Sequence, residues 1–352
     1  MLPGSRPRGR YRGRVDTVRW GIIGVGDVTE RKSGPAFQQA ERSQLVAVMR
    51  RDAARAEDWA RRHGVGRWYS DADALIADPE VDAVYVATPP DSHADYAARV
   101  AAAGKPVYVE KPMARTAAEC QDMVAAAEGA GVGLFVAYYR RALPRFRAVA
   151  GLLAEGRIGQ PRSVLVRTQQ PARVGGELPW RERPEVGGGG HFVDLASHTL
   201  DLLDWLFGPV TTVTGSATTR PDRDPDRPTP RAEDQVVATF ELGGGVRGVG
   251  LWDFDAAVRV DEVELVGDGG SLVFSCFGTE PLRLVTSGGT EEIETEQPTT
   301  VQLPLVQSVV DELTGHGTCP STGRTASRTA GVVDTLLAGH RQAEAARVAA
   351  LV

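Results

Sequence analysis

At 352 residues, 42% hydrophobic and 24% charged, the chain carries enough apolar content for a large core or two, which excludes a disordered or fibrous protein. A formal net charge of −6 gives no general attraction to nucleic acid or an anionic membrane, and no uncharged apolar run reaches the ~18 residues of a membrane span. Three scattered cysteines, Cys120, Cys276 and Cys319, argue against a disulfide framework or a thiolate zinc site and predict a reducing, cytoplasmic setting.

The chain opens with Arg6, Arg8, Arg10, Arg12 and Arg14 in almost no apolar context, which reads as a disordered basic tail over 1–16 rather than a secretory signal. Val18 to Val25 is a short, continuously apolar run, as expected of a strand buried on both faces. Leu45 to Met49, Val81 to Ala87, Lys105 to Glu110 and Gly133 to Tyr138 repeat it, with helical stretches at Asp52 to Arg62, Ala94 to Ala103 and Thr116 to Ala130 between them. This alternation predicts βαβ units and an N-terminal, doubly wound parallel sheet of Rossmann type over 17–140.

The rhythm then changes. Pro144 to Leu153 reads as helix, a strand begins at Arg162, and a glycine run leads into a helix over 187–207. Strand-like segments such as "VTTVTGSATT", "QVVATFEL" and "VDEVELVG" follow, joined by short glycine-containing turns. They predict a C-terminal α+β domain, 141–352, built on a largely antiparallel open sheet. Arg220 to Asp234, rich in proline and charge, is expected to be a mobile loop, and Val306 to Leu313 and Thr325 to Leu351 read as helix.

The stretch "WGIIGVGDVTE", residues 20–30, ends the first strand and precedes a helix, the setting a dinucleotide fingerprint demands. Gly24 permits the tight turn, and Gly26 lets backbone N–H groups, with Asp27 and Val28 opening the helix, approach a pyrophosphate. The third glycine position holds Thr29, a departure expected to loosen helix–strand contact. At the end of the second strand, where an acid would grip the ribose of NAD, stand Arg50 and Arg51. A guanidinium suits a 2′-phosphate, so NADP(H) is favoured and NAD(H) remains possible. "ATPPDSH" closes the third strand and places Thr88, Pro89 and His93 beside the cofactor's path, with His93 a helix start rather than a catalyst.

"YVEKPMA", residues 108–114, is the most specific short motif. Its Glu110-Lys111-Pro112 resembles the EKP signature of the Gfo/Idh/MocA oxidoreductases, the glucose–fructose oxidoreductase and inositol dehydrogenase family. The likeness continues through "AYYRRALP" and "GGGGHFVDLASHTLDLL", the latter resembling the family's second signature, DxxxHxxD. The resemblance implies that Glu110 and Lys111 border the cofactor, that Lys111 orients the reacting hydroxyl, and that Asp194 and His198 complete the site. It also implies a dimer or tetramer through the C-terminal sheet.

Counted on a helix, Asp194, His198 and Asp201 share one face. Hydride transfer at a carbinol carbon needs a group that moves the hydroxyl proton, and Lys111 and His198 are of suitable type. His198 is assigned as proton carrier and Lys111 as the cation that stabilises developing alkoxide, although sequence leaves the two roles exchangeable. Tyr139, Arg141 and His191 are further candidates for substrate contact. His191, Asp194 and His198 have metal-ligand spacing without a fourth ligand, so no metal is assigned.

The leading expectation is therefore a dehydrogenase acting on a secondary alcohol or ketone of a sugar, polyol or dihydrodiol. Two other classes compete: a glycosidase or epimerase-like enzyme whose cofactor is reduced and reoxidised in place, and a non-catalytic nucleotide sensor. Loss of the lysine or of the Asp–His pair would mark the sensor, and all three residues are present.

Overall fold

The computed structural model describes residues 16–172, Gly175 and 177–351; nearly all of the arginine-rich tail lies outside the described residues. Six parallel strands form the first sheet: β1 (Val18–Ile23), β2 (Ser43–Met49), β3 (Arg67–Tyr69), β4 (Ala83–Val86), β5 (Val107–Val109) and β6 (Leu134–Val136). Their order is β3-β2-β1-β4-β5-β6, the doubly wound order in which the connections change direction between β1 and β4. Both faces are covered, which is why these strands read as unbroken apolar runs.

The connecting helices are α1 (Asp27–Arg31), α2 (Gly34–Gln39), α3 (Ala53–His63), α4 (Ala72–Ala77), α5 (His93–Ala102) and α6 (Ala117–Ala130). Local chemistry sets their ends. Asp52 caps α3 by accepting the Arg55 N–H, Thr116 caps α6 by accepting that of Glu119, and Gly64 and Gly131 close the two helices in left-handed conformation.

The second half contains α7 (Pro144–Ala154), β7 (Pro161–Gln169), the single turn α8 (Pro184–Gly187), α9 (Ser197–Phe207), β8 (Val210–Thr218), β9 (Gln235–Leu242), β10 (Arg247–Asp253), β11 (Val260–Gly267), β12 (Gly270–Phe274), β13 (Leu282–Thr286), β14 (Gly289–Ile293), α10 (Leu303–Thr314) and α11 (Gly323–Ala349). The eight strands form one sheet in the order β14-β13-β12-β11-β7-β10-β9-β8. All neighbours are antiparallel except β7 and β10. One face packs on α7, α9 and α11 through Phe146, Leu203, Leu336 and Leu337; the other exposes Leu165, Val237 and Val249.

Two features depart from a division at residue 140. Helix α10 packs beneath the first sheet, where Leu305, Val306, Val309 and Val310 join the core around Trp20, Phe37 and Tyr108. Thr322, the α11 cap, bridges to Phe135 of β6. The segment expected to be a mobile loop, Arg220–Asp234, has no helix or strand but is fastened at several points. Arg231 pairs with Glu344 and Arg223 with Glu182, while Arg347 donates to the carbonyls of Pro225, Arg227 and Thr229.

Candidate active site

The turn after β1 is built around Gly24, whose φ is +96°. A Cβ there would meet the Thr88 side chain at 2.7 Å and its backbone nitrogen at 2.9 Å, so only glycine lets the β1 and β4 loops close together. The Gly24 and Val25 amides donate to Met49 O at the end of β2. Thr29 does not loosen the contact as expected. It is fully buried, accepts the Gly26 N–H on its hydroxyl and returns that hydroxyl proton to Gly26 O, both at 2.8 Å. The amides of Thr29 and Glu30 also reach Gly26 O. Those of Asp27 and Val28, in the first turn, precede the helix's own bonding and have no backbone acceptor among the described residues. Arg50 Nη1 donates to Val25 O at 2.9 Å and so lies across the glycine turn, while Arg51 is exposed. A cradle that a Cβ would fill, two unbonded first-turn amides and an adjacent guanidinium fit a dinucleotide.

His93 has a different duty from the cofactor contact assigned to it. Its ring is fully buried, with Nε2 2.7 Å from Thr88 O and Nδ1 3.1 and 3.2 Å from Pro112 O and Met113 O. Burial lowers its pKa, and the ring ties the β4 loop that carries Thr88 and Pro89 to the cis Lys111–Pro112 turn. The buried imidazole thus serves the loop's position, and Thr88 of that loop lines the cleft. On the other side, Glu110 Oε1 accepts from the Tyr85 hydroxyl and from Gln302 Nε2, and Oε2 accepts the Lys111 N–H. The lysine therefore stands on a backbone held from both flanks.

Lys111 reaches 83 residues along the chain to Asp194, donating to its carboxylate and, at 3.1 Å, to its carbonyl. Arg181 Nε lies 3.3 Å from the other carboxylate oxygen. Burial alone would raise the Asp194 pKa; the Lys111 and Arg181 cations outweigh it and hold the carboxyl below its ordinary value. One turn on, His198 is 3% exposed, with Tyr138, Tyr139 and Phe277 edge-on around its ring and Nδ1 buried without a partner among the described residues. Burial, reinforced by the charges of Arg140, Lys111 and Lys32, pushes its pKa well below that of free histidine, so the ring is neutral at pH 7. Lys111, Asp194 and His198 line one cleft of about 410 Å³ with Thr88 and Val28 of the cofactor turn and with Tyr139. Lys111, Asp194 and His198 thus converge beside the β1/β4 switch point, where open α/β sheets bind ligands.

Three expectations do not hold. The residues over 192–196 form a π turn ahead of α9, and its i→i+5 bonding adds a residue to the turn. Asp201, in α9 with His198, does not line the cleft and turns inward to Arg141. That arginine, 2% exposed, is not a substrate contact: it grips both Asp201 oxygens at 2.6 and 2.7 Å and donates to Pro320 O. His191 does not line the cleft; it lies beside Phe254, with Nε2 3.5 Å from Glu182. Among the described residues no group of three His, Cys, Asp or Glu is placed to hold a metal ion.

Other walls went unassigned in the sequence. Trp180 and Arg181, with the guanidinium 4.3 Å over the indole, come from "PWRERP", a stretch without periodicity. Lys32 caps the C-terminus of α1, and Phe277 and Gln302 arrive from segments more than 160 residues beyond the EKP turn. An aromatic–basic dipeptide between prolines was the only available signal for any of them.

Residues 18–138 match the family model for the Gfo/Idh/MocA oxidoreductase family, NAD-binding Rossmann fold, and residues 146–273 match the family's C-terminal domain. The chain is 36% identical over 321 residues to Oxidoreductase P35 of Formosa agariphila, covering 90% of this chain and 97% of that protein. It is 30% identical over 281 residues to trans-1,2-dihydrobenzene-1,2-diol dehydrogenase of Bos taurus, covering 78% and 79% of the two chains. Levoglucosan dehydrogenase in complex with NADH and levoglucosan superimposes with a TM-score of 0.82 at 23% identity, over 93% of this chain and 98% of that one, a likeness of fold. The chain belongs to the Gfo/Idh/MocA family and is an NAD-binding oxidoreductase.

Proposed function

We propose that the protein interconverts a secondary alcohol and its ketone on a sugar, polyol or dihydrodiol, with NADP(H) as the preferred cofactor. The observation that carries this reading is the convergence of Lys111, Asp194 and His198 on one cleft beside the Gly24 turn. The bound nicotinamide supplies the hydride acceptor or donor. The remaining work falls to side chains. The Lys111 ammonium, aimed by Asp194, binds the reacting oxygen and stabilises the negative charge that develops on it as the hydroxyl proton leaves in oxidation, or as hydride arrives in reduction. Neutral His198 takes the hydroxyl proton; its unfavourable charged form suits a base that must return the proton in reduction. Trp180, Tyr139 and Phe277 offer apolar faces to the carbon skeleton.

The preference for NADP rests on Arg50 beside the glycine turn and on Arg50 and Arg51 standing at the end of β2 where NAD sites carry an acid. Asp52, the next residue along, caps α3. Relatives named for 1,5-anhydro-D-fructose reduction and for dihydrodiol oxidation support the substrate classes. The exposed row of Leu165, Val237 and Val249 on β7, β9 and β10 supports a homodimer or tetramer through the outer face of the second sheet. Screening sugars, polyols and dihydrodiols for cofactor reduction at alkaline pH, with NAD and NADP in parallel, tests the reading. Accumulating NADPH supports it. A product altered without net reduced cofactor would instead favour the recycling enzymes, and no turnover of any class would reject both.

A further inference from the structure

We propose that the cleft selects a polyhydroxylated substrate bearing an anionic substituent, a carboxylate or a phosphate, and that Lys32 binds that group. The inference rests on the dehydrogenase reading above and concerns the same cleft. Five charged side chains line it: Lys32, Glu110, Lys111, Arg181 and Asp194. Both carboxylates are fully committed within the protein. Glu110 accepts three hydrogen bonds, from Tyr85, Gln302 and the Lys111 amide. Asp194 is held by Lys111 on one oxygen and by Arg181 on the other.

Lys32 is exposed to the cleft and has no carboxylate partner among the described residues. Its backbone N–H is bonded to Val28 O at 3.0 Å, so the stem starts from a fixed point on the helix that opens the cofactor turn. Three cations against two carboxylates leave one positive charge uncompensated in a cleft that Trp180 and Phe277 also line. A neutral polyol gains little from a solvated ammonium, whereas an anionic group gains a charge-assisted hydrogen bond inside a partly walled site. Lys111 is not free to take that part, because Asp194 and the reacting oxygen occupy it.

The test compares a hexuronate, the matching neutral hexose and the hexose 6-phosphate on wild type, Lys32→Met and Lys32→Glu. The expected wild-type kcat/KM favours one of the two anions over the hexose by about tenfold or more, and which anion wins identifies the substituent. Lys32→Met should collapse that ratio to near one, and Lys32→Glu should invert it. Hexose oxidation without preference for either anion, or equal losses for all three sugars in Lys32→Met, overturns the inference while leaving the dehydrogenase reading intact. Calorimetric binding of the sugars to the NADPH complex repeats the comparison without turnover. There, an unchanged anion affinity in Lys32→Met, no anion binding to wild type, or a selective loss of NADPH affinity would equally overturn it.

Discussion

Arg141→Met separates a structural arginine from a substrate contact. Arg141 and Asp201 are 2% and 1% exposed, joined by two hydrogen bonds of 2.6 and 2.7 Å, with Arg141 also 3.1 Å from an oxygen of Asp204. Removing the guanidinium strands the Asp201 carboxylate in a dry environment, because Asp204 keeps its hydrogen bonds from Arg328, whereas among the described residues Asp201 keeps one side-chain donor, Thr329 at 3.5 Å. Loss of one partner of such a pair costs about 3–5 kcal/mol. For a chain of this length that corresponds to a fall in Tm of about 6–10 °C, at ~2 °C per kcal/mol. Replacing both partners, Arg141→Met with Asp201→Leu, should recover most of the loss, since no charge is left buried. The assay is thermal unfolding followed by circular dichroism, with KM measured below the transition. A single variant of wild-type Tm but with KM raised tenfold would refute the structural assignment and restore Arg141 to the substrate site.

Three further outcomes are expected. Gly24→Val should abolish cofactor binding, measured by fluorescence titration, because its Cβ meets Thr88 at 2.7 Å in a backbone conformation that valine avoids; wild-type affinity would remove the cradle from the account. Arg50→Asp should move the NADP/NAD ratio of dissociation constants toward NAD by at least about tenfold, ~1.4 kcal/mol, and an unchanged ratio would reject the 2′-phosphate role. The depressed pKa of His198 keeps the neutral base available as pH falls through 6.5, so the acidic limb of kcat/KM for alcohol oxidation should lie below that value; a limb above it would contradict the proton assignment.

The sequence was most legible where burial is symmetrical. The strands of the first sheet announce themselves as apolar runs because helices cover both faces, whereas β3, three residues at an edge, the short alternating β13 and the polar β14 carry no such signal. The motifs picked out the glycine turn and three residues of the cleft because glycine at positive φ, a lysine before proline and an Asp–His pair each have narrow physical reasons to occur. The same counting grouped Asp201 with the site, since neighbouring positions on one helix face can meet different surroundings and only the fold sets Asp201 against Arg141. Arg141 invited a functional reading because an arginine in a loop near a signature is usually exposed; only the fold brings Asp201, 60 residues later, against it. Lys32, Trp180, Arg181, Phe277 and Gln302 escaped because their meeting depends on tertiary geometry alone.

The central claim is that Lys111 and His198 act on the reacting oxygen within one cleft, while cofactor affinity rests mainly on the adjoining Gly24 turn. Single-turnover hydride transfer, followed at 340 nm with saturating cofactor on Lys111→Met and His198→Gln, tests it most directly. Each variant should transfer hydride about 10²–10⁴-fold more slowly, with cofactor dissociation constants within about threefold of wild type. Hydride transfer at the wild-type rate in either variant, or slowing fully explained by lost cofactor affinity, would contradict it.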